Sequence, residues 1–227
     1  MHYTLCIETA TKTCSAALFE GEELIDFKES NDTYSHAENL AVFIDKVLKN
    51  NNIDYSELKA IAVTKGPGSY TGLRIGVSLA KGLAFSLNIP LVAIDSLKSL
   101  AWAARMVAED KTQYYCPMID AKRMEVYSAI YNNQLEEIKT ISADIIDSNS
   151  YLEYLDKSRI NFFGDGAKKC KEIIQHPNAQ FIEIKTSARN MGTLAEEAFQ
   201  KNKTEDIAYF EPFYLKQFVA HKSKKLT

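Results

Sequence analysis

The segment Lys65-Gly66-Pro67-Gly68-Ser69-Tyr70-Thr71-Gly72 gathers the residue types that hold anions: three glycines, two aliphatic hydroxyls and a lysine. Glycine accepts positive φ and lets other atoms approach the backbone, while Pro67 stiffens the turn. The apolar run from Ala60 to Thr64 reads as a short buried strand, and the stretch from about Gly72 to Asn88 reads as a helix that stops before Pro90. A strand, a glycine turn and a helix start together offer free N–H groups and the positive end of a helix dipole. The chemistry they suggest is phosphate binding, with Lys65, Gly66, Gly68, Ser69 and Thr71 as candidates. No Gly-Lys-Ser/Thr follows the glycines, so this is not a Walker A loop, and Thr71 stands where a dinucleotide fingerprint needs its third glycine. The same residues equally suit a tight strand-to-helix connection with Thr71 as N-cap. Both readings stay open at this level.

Other reactive side chains are sparse. The histidines are His2, His36, His176 and His221. A zinc pair on one helix face needs two histidines a turn apart, and Leu40 stands four positions after His36. His36 with Glu38 does not spell the H-E-x-x-H protease motif either. No metal ligand set and no nucleophile–histidine pairing emerges. Cys6, Cys14, Cys116 and Cys170 form no C-x-x-C pair and read as reduced core residues of a cytoplasmic protein. The basic cluster His221-Lys222-Ser223-Lys224-Lys225 reads as a solvated end that could touch phosphates if a partner brought RNA close.

The elements that must position these residues follow from periodicity. Hydrophobic residues make up 46% and charged residues 25%, as in an ordinary globular protein, and the net charge of −3 gives no global basic field. No apolar run spans a bilayer, and no signal-peptide pattern is visible. Tyr3–Ile7 up to Glu8, Cys14–Phe19 and Leu24–Lys28 read as three strands in a meander. A helix from near Ser35 follows, with Leu40, Phe43, Ile44, Val47 and Leu48 on one stripe. Leu91–Ile94 is a further strand, and Ser96 can cap a third helix to about Glu109. The second half repeats the opening: Cys116–Asp120 and Glu125–Tyr131 are strands, then Leu135–Ile141. An acidic residue, Glu8 or Asp120, closes the first strand of each meander. Later strands are expected at Asn161–Gly164 and Phe181–Ile184, and helices near Ala167–Gln175 and Ser187–Lys201. The reading is a duplicated α/β unit with lobes 1–110 and 111–227.

On the helix after the glycine turn, Gly72, Gly76, Ala80 and Ala84 recur every four residues. Interior helix glycines cost about 1 kcal/mol each relative to alanine, and close helix packing, internal or with another chain, is the simplest compensation. Leu73, Val77, Leu83 and Leu87 supply another apolar face. A helix apolar on more than one side implies a partner or a central position.

Together, Ile7-Glu8-Thr9-Ala10-Thr11, Cys14-Ser15-Ala16-Ala17-Leu18, His36-Ala37-Glu38-Asn39-Leu40 and the block from Lys65 to Gly76 resemble the TsaB (YeaZ) family. Asp120–Tyr127 and Glu211-Pro212-Phe213-Tyr214-Leu215 extend the resemblance over nearly the whole chain. The resemblance implies an α/β, two-lobed actin-like or Hsp70-like ATPase fold built from duplicated ribonuclease-H-like units. It also implies a non-catalytic subunit working with a TsaD-like paralogue and a TsaE-like ATPase to place threonylcarbamoyl on N6 of adenosine 37 of tRNA. Contact with tRNA would be indirect, through the complex, with no metal and no cofactor beyond residual nucleotide binding. Glu8 and Thr9, with the loop, would be the remnant nucleotide site. His36, Leu40, Phe43, Val47, Arg74, Ile75, Gly76, Leu79, Ala80 and Leu83 would face the paralogue, or a second copy in its absence, in a helical bundle. On that reading, bulky residues at Gly76 and Ala80 block assembly while the monomer stays folded. The competing readings are a small ATPase or phosphotransferase using Glu8 and the loop, and a glycoprotease-like peptidase.

Overall fold

Apolar segments that bury both faces need cover on both sides, and the chain supplies it twice. The computed structural model describes residues 2–31, 36–108 and 113–216. The expected boundary at 110 and the basic cluster 221–225 lie outside the described residues. The first sheet is formed by β1 (Tyr3–Glu8), β2 (Cys14–Glu20), β3 (Glu23–Ser30), β4 (Leu58–Gly66) and β5 (Leu91–Asp95). Their order is β3-β2-β1-β4-β5, with β2 antiparallel to β1 and β4 parallel to it. The second sheet contains β6 (Tyr114–Asp120), β7 (Glu125–Tyr131), β8 (Glu137–Ile145), β9 (Ile160–Phe163) and β10 (Ala179–Phe181). It runs β10-β9-β6-β7-β8, the same arrangement read from the other edge, with β7 antiparallel and β9 parallel to β6. Two ribonuclease-H-like sheets therefore make the two-lobed actin-like fold that the duplicated meander announces.

Helices α1 (His36–Asn50) and α2 (Tyr70–Leu87) cover one face of the first sheet. Leu40, Ile44, Val47, Val77, Ala80 and Ala84 pack there on Leu5, Ile7, Leu18, Ile61 and Val63. The opposite face, from Cys6, Ala17, Ala62 and Val92, receives Met191, Leu194 and Ala195 from the start of α6 (Gly192–Gln200). The last helix among the described residues thus belongs to the core of the first sheet, although it follows the second in sequence. Between the sheets lies α3 (Ser96–Val107), whose Leu97, Leu100, Ala101 and Ala104 pack on Tyr115, Ile119, Tyr131 and Phe163. Two short helices, α4 (Leu152–Leu155) and α5 (Ala167–Cys170), cover the other side of the second sheet.

Several local expectations are corrected. The N-cap of α3 is Asp95, accepting from the N–H groups of Leu97 at 2.9 Å and Lys98 at 3.0 Å, and Ser96 is the first helical residue. β8 begins at Glu137, because the Asn132 side chain accepts from Gln134 N and Glu136 N and folds Leu135 into the left-handed region at φ 59°. The helix expected over 187–201 splits into a 3-10 turn, Ala188–Asn190, and α6. α5 ends at Cys170, five residues short of the expected Gln175. The strand expected over Phe181–Ile184 is instead Ala179–Phe181, and Ile182 and Ile184 pack against the cluster around α3.

One polar cluster stitches the outer strands of the second sheet. Asp144 accepts from Ser128 Oγ at 2.5 Å, Tyr151 OH at 2.8 Å, Lys139 Nζ at 2.9 Å and Ser142 Oγ at 2.7 Å. Burial works to raise its pKa, but the donors outweigh it and the carboxyl titrates below the ordinary aspartate value. Its contribution is therefore present above pH about 4 and lost as the pH falls through the depressed value. Asp144→Ala should lower stability at pH 7 by about 1–3 kcal/mol, since it strands donors. Thermal melts at pH 7 and pH 3 check this, with the difference shrinking at the lower pH.

Candidate cleft and partner surface

The glycine turn is where the first lobe comes closest to itself. Leaving β4, Gly66 has φ 118°, and a side chain on it would meet the Phe213 carbonyl oxygen at 2.5 Å. Ser69 N–H donates to the Ala10 carbonyl at 2.6 Å. A Cβ on Gly68 would collide with that same Ala10 oxygen, one on Gly72 with the Thr9 oxygen, and one on Gly76 with Thr9 Oγ1. These three glycines together let α2 seat directly on the turn that follows β1. The N-cap is Ser69, in extended conformation with its Oγ accepting from Gly72 N at 3.3 Å; Thr71 is already inside the helix. Cap choice follows backbone shape, since only the residue before the first helical φ/ψ pair can fill this place.

The candidate phosphate residues are consequently divided. Gly68, Ser69 and Thr71 line an interlobe cleft of about 760 Å³, together with Thr11, Lys12, Asp120, Lys122 and Asp165. Glu8 and Thr9 are fully buried in the first lobe. Glu8 Oε1 accepts from Ala10 N at 2.5 Å and Thr64 Oγ1 at 3.1 Å, while its Oε2 and Thr9 Oγ1 find no partner among the described residues. Burial pushes the Glu8 carboxyl up to about 7 against those hydrogen bonds. Lys65 stays in β4, its charge offsetting part of the burial of Asp95, whose carboxyl is pushed up to about 6. Gly66 is taken up by the Phe213 backbone. Sequence reasoning missed Lys12, Lys122 and Asp165. The signal for Asp165 is Gly164-Asp165-Gly166, the second unit's counterpart of the glycine turn: Cβ atoms there would strike the Met118 oxygen and the Ile119–Asp120 backbone at the end of β6.

Asp120 and Asp165 face each other across this second turn, the Asp120 N–H donating to Asp165 Oδ1 at 3.0 Å. Burial works to raise the Asp120 pKa, but its contact with Lys169 Nζ outweighs that and holds it low. Crowding by surrounding protein raises that of Asp165, and its like-charged neighbour adds to the rise. Among the described residues, no group of three His, Cys, Asp or Glu side chains converges as metal ligands would.

The partner-face candidates also separate. Leu40, Val47, Gly76 and Ala80 are buried against their own sheet, so the small-residue ridge is consumed inside the lobe and cannot meet another chain. Phe43, Ile75, Leu79 and Leu83 are half-buried at the margin of the same core, and Arg74 is exposed. The His36 side chain lies outside the described residues. The outward face of α2 instead carries Arg74, Ser78, Gly82 and Phe85, with Phe85 78% exposed and nothing within 4 Å of a Cβ built on Gly82. The exposed aromatic and the second small position were the missed signals.

Two outcomes test this geometry. Gly76→Ala should destabilise and Thr9→Ala should restore part of the loss, whereas Gly72→Ala, which meets a backbone oxygen, should not be rescued; a double-mutant cycle from denaturant titrations measures the coupling. Glu8 has a folded pKa above its unfolded value, so its stabilising contribution holds below pH about 4 and is lost as the pH rises through about 7. Glu8→Gln should thus raise the melting temperature at pH 8, by on the order of 2 kcal/mol in stability, and flatten the decline between pH 5 and 8. An unchanged decline would show that Glu8 is not the titrating group.

Comparison with known proteins matches this architecture. The family model for TsaD, tRNA N6-adenosine threonylcarbamoyltransferase, matches residues 32–224. The tRNA threonylcarbamoyladenosine biosynthesis protein TsaB of Bacillus subtilis is 31% identical over 223 residues, covering 93% of each chain. Its Escherichia coli counterpart is 25% identical over 96% of each. The solved YeaZ structure from Pseudomonas aeruginosa superposes with a TM-score of 0.81 at 25% identity, covering 95% of this chain and all of that one. With both ribonuclease-H-like units, the glycine turn seated on β1 and full-length similarity, the chain belongs to the TsaB (YeaZ) family of tRNA threonylcarbamoyladenosine biosynthesis proteins.

Proposed function

We propose that the chain serves tRNA threonylcarbamoyladenosine formation as a non-catalytic subunit, docking through α1 and α2 onto a TsaD-like transferase that carries the chemistry, with a TsaE-like ATPase completing the system. The observation that carries this is the split of the glycine turn. Its glycines are filled by the chain's own backbone, Gly66 by Phe213 and Gly68 and Gly72 by Thr9–Ala10, and the helix they seat presents an exposed aromatic beside an open glycine. Glycine at an exposed helix position costs stability in the monomer, and close approach of another helix at Gly82 gives that cost a purpose. Phe85 then supplies the buried ring around which such interfaces are organised. Without the transferase, the same face would meet a second copy of this chain. No helix among the described residues is long and apolar enough to cross a membrane, and the proposed site of work is the cytoplasm.

A small ATPase or phosphotransferase is the second reading, favoured by the cleft with Lys12, Lys122, Asp120 and Asp165 on its walls. Against it, Lys65 and Glu8 do not reach that cleft and the turn's glycines are occupied. Calorimetry with magnesium-ATP on the isolated chain separates the readings: tight binding with hydrolysis favours the enzyme.

Gly82→Trp and Phe85→Asp should leave the monomer's melting temperature within a few degrees of the parent, because neither site touches the core. Both should abolish co-elution with the TsaD-like partner and lower reconstituted tRNA modification at least tenfold. Full modification by the partner proteins without this chain would overturn the scaffold reading.

A further inference from the structure

The chain passes from the first lobe to the second after α3 and returns after β10, where it is tied back at once. Thr186 Oγ1 lies 2.5 Å from Thr11 Oγ1, Ser187 Oγ donates to Glu29 at 2.8 Å, and Ala188 N–H donates to Ser15 Oγ at 2.9 Å. After α6 the chain runs back across the first lobe as a strap. Glu205 bridges to Leu91 at the edge of β5, its N–H donating to the Leu91 carbonyl at 2.8 Å. Lys81 Nζ, on α2, donates to the carbonyls of Ala208 at 3.3 Å and Phe210 at 2.9 Å, and Phe210 is buried in the core. Phe213 N–H donates to the Lys65 carbonyl at 2.7 Å.

At the cleft mouth the strap reaches the other lobe. The Tyr214 ring centroid lies 4.8 Å from that of Tyr70 on α2, and Lys216 then pairs with Glu125 of β7. Lys169, the neighbouring cation, is engaged by Asp120 and by the Glu125 carbonyl oxygen, so the Glu125 carboxylate answers to Lys216. At the other end of the strap, Asp206 accepts from the N–H groups of Ala208 and Tyr209, while the Lys81 ammonium goes to strap carbonyls. One segment is therefore fixed to the first lobe at Leu91, Lys81 and Lys65 and touches the second at Glu125.

We propose that the strap is a clasp between the lobes: Lys216 and Glu125 hold them at one separation, and Lys81 carries docking on α2 to that contact. Lobes joined by short crossings move against each other by default, and a tether at the cleft mouth restrains that motion. A partly exposed ion pair contributes little to stability, so this tether opens and closes readily and suits a switch better than a brace. Lys81 supplies the coupling. A long helical side chain leans back over the turn before it, so Phe85 leans towards the turn that holds Lys81. A partner seated on Phe85 removes water from the Lys81 ammonium, and its bonds to the strap carbonyls strengthen as the local dielectric falls. By linkage, opening the clasp weakens docking by the same factor. The coupling rests on the docking reading above, whereas the clasp itself does not.

The test is double electron–electron resonance on the full chain, spin-labelled through Lys59→Cys at the start of β4 and Lys157→Cys just before β9. Both positions are exposed and the four native cysteines are buried, so the labels go to the introduced sites. Lys216→Glu and Glu125→Lys should each raise the share of the wider lobe separation about threefold, and the two together should restore the parent distribution. Thermal melts check that each variant is folded, and the milder Glu125→Gln replaces any that is not. An unchanged distribution in the single variants, or no restoration in the swap, overturns the clasp. Saturating TsaD-like partner should then narrow the parent distribution and leave that of Lys81→Met, which keeps the stem and loses the ammonium, as it was. Equal narrowing in Lys81→Met overturns the coupling. A partner that fails to co-elute sinks the docking reading and the coupling with it, while the isolated chain still decides the clasp.

Discussion

Everything in the first lobe is placed by one close approach. Helix α2 rests on the Thr9–Ala10 turn at a distance that no side chain on Gly68, Gly72 or Gly76 would permit, and Ser69 N–H closes the contact on the Ala10 carbonyl. Seating the helix there fixes which of its faces enters the core. It also sets the cleft wall and brings Tyr70 to the rim that the strap reaches. The second unit uses the same device on a smaller scale, with Gly164 and Gly166 against Met118–Asp120. Two sheets of the same strand order thus share one way of locking a strand-to-helix turn onto the end of the first strand. The turn's glycines are explained by contact within the lobe, before any ligand is invoked.

That contact has an electrostatic consequence. With α2 closed over the turn Glu8 is fully buried, and the carboxyl responds by holding its proton to about pH 7. Acidic groups that remain at the cleft behave differently according to their neighbours. Asp120 has a lysine and stays ionised, whereas Asp165, crowded by protein and by Asp120, is raised. The acidic residue at the end of each meander's first strand is therefore a buried proton holder in one lobe and an ion-paired cleft residue in the other.

The outward face of α2 and the strap are linked through Lys81, whose ammonium holds two strap carbonyls one helical turn before Phe85. The docking face and the cleft mouth are consequently joined by a single crossing segment. Internal small residues on this helix serve packing. Gly82, on the other side, has no packing duty within the chain.

Much of this was legible in the sequence. Period-two and period-three-to-four patterns located both meanders and the major helices, and the repeated acidic strand ends announced the duplication. The motif block pointed to the family. What periodicity leaves open is the direction in which a small-residue stripe points. Glycines every four residues fit a partner helix or the chain's own backbone equally well, since glycine has no side chain to declare its environment. Only the tertiary contact with Thr9 decided it, turning the Gly72–Ala84 ridge inward and giving the outer face to Gly82 and Phe85. The same holds for Lys65, Asp165 and Tyr214: sequence supplied the charges and the ring, but whether they meet depends on chain crossings that local propensity does not encode.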